Sequence, residues 1–230
     1  IIFENKRLPI INFRLAFKFG EVNSPTRGIA TALASLLTQG TANYSSKELA
    51  EEVENLGASL HASCSSDNST ISASALAIYR SEILNLVAEI LFSPTFPEDE
   101  FKLYKENTLK SLEFQRSQAD FLADEQVSRI VYGSHPYSKV SPKPAEVEKI
   151  SREILVEFHS AKMIPNNAML IVVGDVDRDE ILAELNQVFG NWKKGIIETA
   201  EFPTPPSRTE RTLTIVDRVG SAQSNIVLSN

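Results

Sequence analysis

The residues of this sequence best suited to metal chemistry are its three histidines. His61 lies in an alternating segment typical of a strand, His135 lies in a loop, and His159 lies in a helical segment. No two of them have the HxxH or HxxxH spacing that brings two imidazoles to one metal ion. The sequence therefore predicts three separate histidines. The alternative, an unusual metal site around His61 and Glu113, stays open.

Motifs for nucleophilic catalysis and for phosphate binding are weak or missing. The segment VVGDVD, residues 172–177, has one glycine and no GxGxxG continuation, and the sequence has no GxSxG nucleophile elbow. The one cysteine, Cys64, occupies the apolar register of a predicted strand, which indicates a buried thiol. A single cysteine also excludes an intramolecular disulfide and a cysteine-rich metal site.

Two carboxylates, Glu106 and Glu113, are further candidates for chemistry. They are seven residues apart in a predicted helix that follows Pro97 and runs to about residue 116. Because seven residues make nearly two helical turns, both side chains lie on the same face. A pair of this kind is either a remnant of an acidic site or simply part of a solvated face.

The elements that must position these residues follow from the apolar periodicity. Strands are predicted at 10–19, in a hairpin within 58–77, at 168–173, at 211–217 and at 223–228. Helices are predicted at 28–40, 45–57, 81–92, 97–116, 120–131, within 152–161 and at 177–189. This order mixes a hairpin with separated strands. It favours an α+β fold in which helices pack on a mixed, largely antiparallel sheet.

Composition narrows the function classes. The 230 residues have 42% hydrophobic and 23% charged side chains, which is typical of a globular chain. A net charge of −7 argues against a nucleic-acid partner, since binders of nucleic acid carry basic surfaces. No apolar run approaches the roughly 20 residues of a membrane span. The chain begins IIFENKRLP without an initiator methionine, so we expect the natural amino terminus to lie upstream.

The segment GIATALASLLTQGT, residues 28–41, resembles the signature GxAHFLEHxxxxGT of the M16 zinc peptidases, the family of pitrilysin, insulysin and mitochondrial processing peptidase. The residues in register are Gly28, Ala30, Leu33, Gly40 and Thr41. Further segments resemble the family in the same order: 47–76 its helix and hairpin, 134–150 its HPY loop, 168–192 its strand and helix ending FxxW, and 217–228 the start of its second homologous domain. The resemblance implies the LuxS/M16 metallohydrolase-like α+β fold.

The same resemblance implies that the zinc motif is lost. In the family, two histidines and a glutamate of HxxEH bind zinc and activate water, and a downstream glutamate is the third ligand. Here the histidine positions fall on Thr31 and Ser35, and the glutamate position falls on Ala34. The third-ligand position is assigned to Glu113, with Glu106 as its acidic companion. No catalytic, metal or cofactor residue is therefore expected, and the chain is predicted to be inactive alone.

What the resemblance implies for function is a bacterial subunit without catalysis of its own. We expect an HxxEH-bearing M16 partner that holds the zinc, with this chain contributing chamber wall, subunit interface and binding of unfolded peptide. The periplasm is favoured over the cytoplasm. Expected domains are 1–197, a proline-rich linker at 198–210, and the start of a second domain at 211–230. The alternatives are a purely structural subunit like the M16-derived core proteins of the respiratory complex, and a peptidase with a non-standard metal site.

Overall fold

The computed structural model describes residues 1–198, 201–207, 210–217, 220 and 224–229. Within this part of the chain, five strands form one sheet in the order β1-β5-β2-β4-β3. The strands are β1 (Ile2–Glu4), β2 (Ile10–Phe17), β3 (Ser59–Cys64), β4 (Ser69–Leu76) and β5 (Ala168–Gly174). The pairs β2–β4, β3–β4 and β2–β5 are antiparallel, and only β1 runs parallel to its neighbour β5.

Eight α-helices accompany this sheet in the described residues. They are α1 (Ile29–Leu36), α2 (Ser46–Asn55), α3 (Arg80–Phe92), α4 (Glu98–Arg116), α5 (Ala119–Tyr132), α6 (Pro144–Lys149), α7 (Arg152–Lys162) and α8 (Arg178–Phe189). The predicted α+β class, with helices on a mixed and largely antiparallel sheet, is confirmed. None of these helices is both long and apolar enough to cross a bilayer.

The core lies between one face of the sheet and the helices. Strand β2 alternates exposed and buried residues, so that Phe13, Leu15 and Phe17 point inward and are at most 2% exposed. Helix α1 lies against β3 and β4 on its sheet side and contacts α4 and α7 on others. It is therefore a central element of the packing. Because its neighbours come from distant parts of the sequence, its position depends on the whole domain.

The carboxyl-terminal strands predicted at 211–217 and 223–228 are not formed in the described residues. Residues 211–217 and 224–228 are irregular, and Gln223 lies outside the described part. The alternating apolar side chains are present, but Leu213, Ile215 and Leu228 are at least 80% exposed. A strand needs a paired neighbour and a covered face, and the described part of the chain shows no sheet partner for these segments. Conversely, the sequence analysis missed β1 and α6, which are only three and six residues long.

Candidate functional site

Helix α1 has one face packed in the core and another face directed to a cleft. Ile29, Leu33 and Leu36, together with Leu37 directly after the helix, are at most 1% exposed, and their spacing puts them on one helical face. Thr31 and Ser35, four residues apart, are exposed on the opposite side. The three motif positions do not behave alike, because Ala34 is buried at 4% exposure. With about 100° per residue, Ala34 points about 60° away from both Thr31 and Leu37, at the border between the faces.

The amino terminus of α1 is held by a carboxylate from the preceding loop. Gly28 precedes the helix with a φ of 97° and has no side chain that could cap it. Glu21 takes this role: its Oε2 accepts from the Gly28 amide at 2.8 Å, and its Oε1 accepts from the Thr31 amide at 2.7 Å and from the Thr31 hydroxyl at 2.6 Å. Arg27 Nε lies 3.8 Å from Oε2. A negative group at this end is favoured by the helix dipole.

The loop that carries Glu21 is fixed to the β3–β4 hairpin. The amides of Glu21 and Val22 donate to the carbonyl oxygens of Ser65 and Ser66, each at 3.0 Å. Gly20 makes this close approach possible, since a Cβ there would lie 2.5 Å from the Ser65 oxygen. At the mouth of the cleft, the main chain of residues 20–22 therefore lies directly against that of residues 65 and 66. This contact keeps Glu21 in place above α1.

A second loop, residues 133–143, closes the same mouth from the other side. The Tyr137 hydroxyl donates to Asp67 Oδ1 of the hairpin at 2.6 Å. Arg27, the partner of Glu21, donates through Nη2 to the carbonyl oxygen of Lys139. The amino terminus of α1, the hairpin tip and this loop are thus connected by polar contacts around one rim.

Below this rim lies a cavity of about 490 Å³. Its lining comes from the start of α1, from one face of α4, and from the segment 140–150. The lining residues are Gly28, Thr31, Tyr104, Asn107, Thr108, Ser111, Leu112, Gln115, Val140, Ser141, Pro142, Val147 and Ile150. None of these side chains, all from the described part of the chain, carries a charge at neutral pH. The cavity has the size of a ligand pocket but lacks the acids, bases and imidazoles of hydrolytic sites.

The structure does not bring Glu106 or Glu113 into this cavity. The α4 residues that face it recur at the spacing of three and four that marks one helical face, beginning at Tyr104 and passing through Ser111. Glu106 and Glu113 each follow these two residues by two positions, about 200° around the helix. Both are exposed, and Glu106 pairs with Lys102 at 4.0 Å. The residue of α4 that shares the cavity with Thr31 is Ser111.

Two protonatable groups beside the site are held in their neutral forms. Burial raises the pKa of Tyr104 to about 12, and the nearby charge of Glu21 acts in the same direction. Burial also raises the pKa of the Cys64 thiol. At neutral pH the Tyr104 hydroxyl is therefore a hydrogen-bond donor, and Cys64 is a poor nucleophile because the thiolate is the reactive form.

The histidines lie apart, in line with their spacing. His61 is exposed on β3, His135 caps a short turn by accepting from the Tyr137 amide at 3.2 Å, and His159 Nε2 lies 2.8 Å from the Leu91 carbonyl oxygen. Within the described residues, no three His, Cys, Asp or Glu side chains are grouped as metal ligands. The hydroxyls of Thr31, Ser35 and Ser111 do not fit a zinc ion, which prefers imidazole, thiolate and carboxylate.

Sequence reasoning missed Glu21, Tyr104 and Ser111. A signal for Glu21 existed in principle, because Gly28 opens a helix without a capping side chain and an acid stands seven residues before it. For α4, the run of uncharged polar residues at spacings of three and four marks the face that lines the cavity. Periodicity shows that Glu106 and Glu113 share a face, but only the packed neighbours decide which face is turned to α1.

Two family profiles match this sequence. The profile described as insulinase (peptidase family M16) matches residues 2–144, more than half of the chain. The chain belongs to peptidase family M16. The profile described as the peptidase M16 inactive domain matches residues 149–229.

The relatives of this M16 chain described below are longer proteins. The non-peptidase homolog YmxG of Helicobacter pylori is 26% identical over 214 residues, which cover 91% of this chain and 50% of that protein. A solved M16 inactive domain from Pseudomonas fluorescens gives a TM-score of 0.83 at 28% identity, covering 89% of this chain and 50% of that one. The periplasmic protease PqqL of Escherichia coli shares the fold, with a TM-score of 0.78 at 18% identity over 88% of this chain and 24% of its own. The chain spans about half the length of the curated relatives it matches, or less.

Proposed function

We propose that this chain belongs to the non-catalytic half of a two-subunit M16 zinc peptidase. The observation that carries this proposal is the uncharged lining of the cleft beside α1, in which Thr31, Tyr104 and Ser111 stand together. A hydrolytic zinc site needs strong ligands and a base at these elements, and neutral hydroxyls supply neither. The match to the M16 inactive domain and the relative named a non-peptidase homolog support the same conclusion.

The register of the lost site is part of the proposal. Thr31 and Ser35 take the two histidine positions on α1, and Ala34 takes the position of the base. For the third ligand we propose Ser111 instead of Glu113, since Ser111 lies on the face of α4 that lines the cavity with Thr31. All of the ligand positions then carry hydroxyls, and Glu106 and Glu113 are ordinary surface residues.

The catalytic zinc would belong to an HxxEH-bearing M16 partner, with unfolded peptide as the substrate. A subunit that keeps the fold and the cleft without the ligands can still provide chamber wall and interface, and this is the role proposed here. Helix α1 is well packed, and its leucines are at most 1% exposed. This supports a role for the domain as a framework, which does not depend on catalysis. A bacterial, periplasmic setting remains a prediction.

The test is reconstitution with a peptidase subunit encoded beside this chain that carries HxxEH. We expect chelator-sensitive cleavage of an internally quenched peptide by the mixture and none by this chain alone, with well under one zinc per chain by elemental analysis. Replacing the glutamate of the partner's HxxEH by glutamine should abolish cleavage. Ser35→Ala in this chain should leave it unchanged, because the Ser35 side chain is exposed and does not line the cavity.

Two results would contradict the proposal. One is zinc-dependent cleavage by the pure chain. The other is a partner subunit whose activity is the same with and without this chain. The second result would favour a purely structural role.

A further inference from the structure

One face of α4 presents uncharged hydrogen-bonding groups along the whole cavity. Asn107, Ser111 and Gln115 follow one another at four-residue spacing and line the cavity, and Asn107 and Ser111 are exposed to solvent. Tyr104 adds a phenol hydroxyl at one end of the row, which is protonated at neutral pH. Carboxamides and hydroxyls both donate and accept, so this row can pair with a ligand that alternates donors and acceptors.

The length of the row suits an extended peptide. From Tyr104 to Gln115 the helix rises about 16 Å, at 1.5 Å per residue. An extended chain advances about 3.3 Å per residue, so about five residues of peptide would span the row. The cavity volume of about 490 Å³ falls in the range of pockets that enclose small ligands, and it accommodates part of such a segment with the rest open to water.

The opposite wall is aliphatic. Val140, Pro142 and Ile150 line the cavity from the segment 140–150, with Pro142 and Ile150 beside Gly28 at the start of α1, and Ile150 is 2% exposed. This wall is held in place, since Lys105 Nζ donates to the carbonyl oxygens of Glu148 at 2.8 Å and Ile150 at 3.0 Å. A groove that is polar on one side, apolar on the other and already ordered loses little free energy to rearrangement when a ligand binds.

Charge decides between classes of peptide. No described lining side chain is charged, so a buried lysine or aspartate of a ligand would lose its hydration without gaining a counter-ion. Two acids at the described rim are already engaged: Glu21 by Arg27 and the amino terminus of α1, and Asp67 by the Tyr137 hydroxyl. A neutral segment with small aliphatic and amide side chains matches both walls.

We propose that the cleft between α1, α4 and the segment 140–150 binds an extended peptide segment of about five uncharged residues. This inference rests on the proposed function, because that function makes peptide the substrate. It assigns to the degenerate site a role in holding the peptide. Because binding is measured on this chain alone, the outcome is separate from that of the reconstitution with a partner.

The experiment uses a fluorescein-labelled heptapeptide amide composed of Ala, Val, Leu and Gln, with binding followed by fluorescence anisotropy. Two further probes carry Asp or Lys at two central positions. We expect saturable binding of the neutral probe and about tenfold weaker binding of both charged probes. The double variant Asn107→Ala with Gln115→Ala should weaken binding of the neutral probe by about tenfold.

The matched control lies on the other face of the same helix. Glu106→Ala with Glu113→Ala removes two side chains of α4 that do not line the cavity, so the affinity should be unchanged. Thermal unfolding of each variant verifies that it is folded. The proposal is overturned if the neutral probe does not bind up to about 1 mM. It is equally overturned if charged probes bind as well as the neutral one, or if the two double variants have the same affinity.

Discussion

The two faces of α1 differ in what the chain has retained from its family. On the buried face, Ile29, Leu33 and Leu36 have the spacing and the burial of an intact packing element. On the cleft face, Thr31 and Ser35 stand where the proposed register places the two histidines of the family signature. Packing needs only volume and apolar surface, whereas zinc chemistry needs particular atoms. A domain can therefore lose the second requirement and keep the first.

The largest effect is expected on the packed face. Leu33 is fully buried, and Leu33→Ala should lower the free energy of unfolding by about 2–5 kcal/mol through lost burial and a residual cavity. Thr31→Ala removes one hydrogen bond at the cleft and should cost about 1 kcal/mol. Denaturant titration of the two variants measures the difference. Equal losses would show that the two faces of α1 do not differ as described.

The cap of α1 comes next. Glu21→Ala would leave the amides of Gly28 and Thr31 without their acceptor and Arg27, whose side chain is 9% exposed, without its carboxylate. We expect a loss of about 2–4 kcal/mol in the free energy of unfolding. Glu21→Gln, which keeps an acceptor oxygen but no charge, should lose about half as much. An unchanged midpoint in urea for both variants would mean that Glu21 does not anchor the helix.

Restoring ligands on the cleft face tests the register. Thr31→His with Ser35→His places two imidazoles four residues apart on one helical face. Adding Ser111→Glu should tighten zinc binding by about tenfold over this double variant, because it supplies a carboxylate from the face of α4 that lines the cavity. Isothermal titration decides the matter. If the double variant with native Glu113 binds as tightly as the triple variant, Glu113 is the third-ligand position.

The smallest expected effect is the pH dependence of stability that comes from a buried histidine on the packed side of α1. His159 of α7 is buried, which lowers its pKa below the usual 6.5, and its Nε2 lies 2.8 Å from the Leu91 carbonyl oxygen. The unfolded chain therefore binds a proton at higher pH than the folded chain does. Stability should fall as the pH drops through about 6.5 and level off below the folded pKa. In urea titrations between pH 7.5 and 5, His159→Gln should show a smaller decline, and a decline equal to that of the unmodified chain would exclude His159 as the cause.

Local signals in the sequence predicted the parts of the fold that local interactions determine. Ser45 and Glu48 are an example: they have the spacing of a capping box at the start of the helix predicted at 45–57, and the Ser45 amide donates to Glu48 Oε2 at 2.9 Å. The apolar periodicity likewise predicted the strand at 10–19, of which β2 covers residues 10–17. Glu21 was missed because its contacts depend on how a loop folds back over a helix that begins later in the chain. Apolar alternation at 211–217 predicted a strand, yet alternation alone does not provide the neighbouring strand.

The carboxylate of Glu21 has a consequence for how the domain depends on its surroundings. A structural metal ties folding to the supply of that metal, because the site does not exist in the unfolded chain. Here the end of α1 is tied by a side chain that is synthesised with the protein and is always present. The helix is therefore expected to be assembled equally well in metal-starved and metal-rich cells, with the same melting temperature in EDTA as in zinc. Under the proposed function, the response to zinc scarcity would lie with the HxxEH-bearing partner instead.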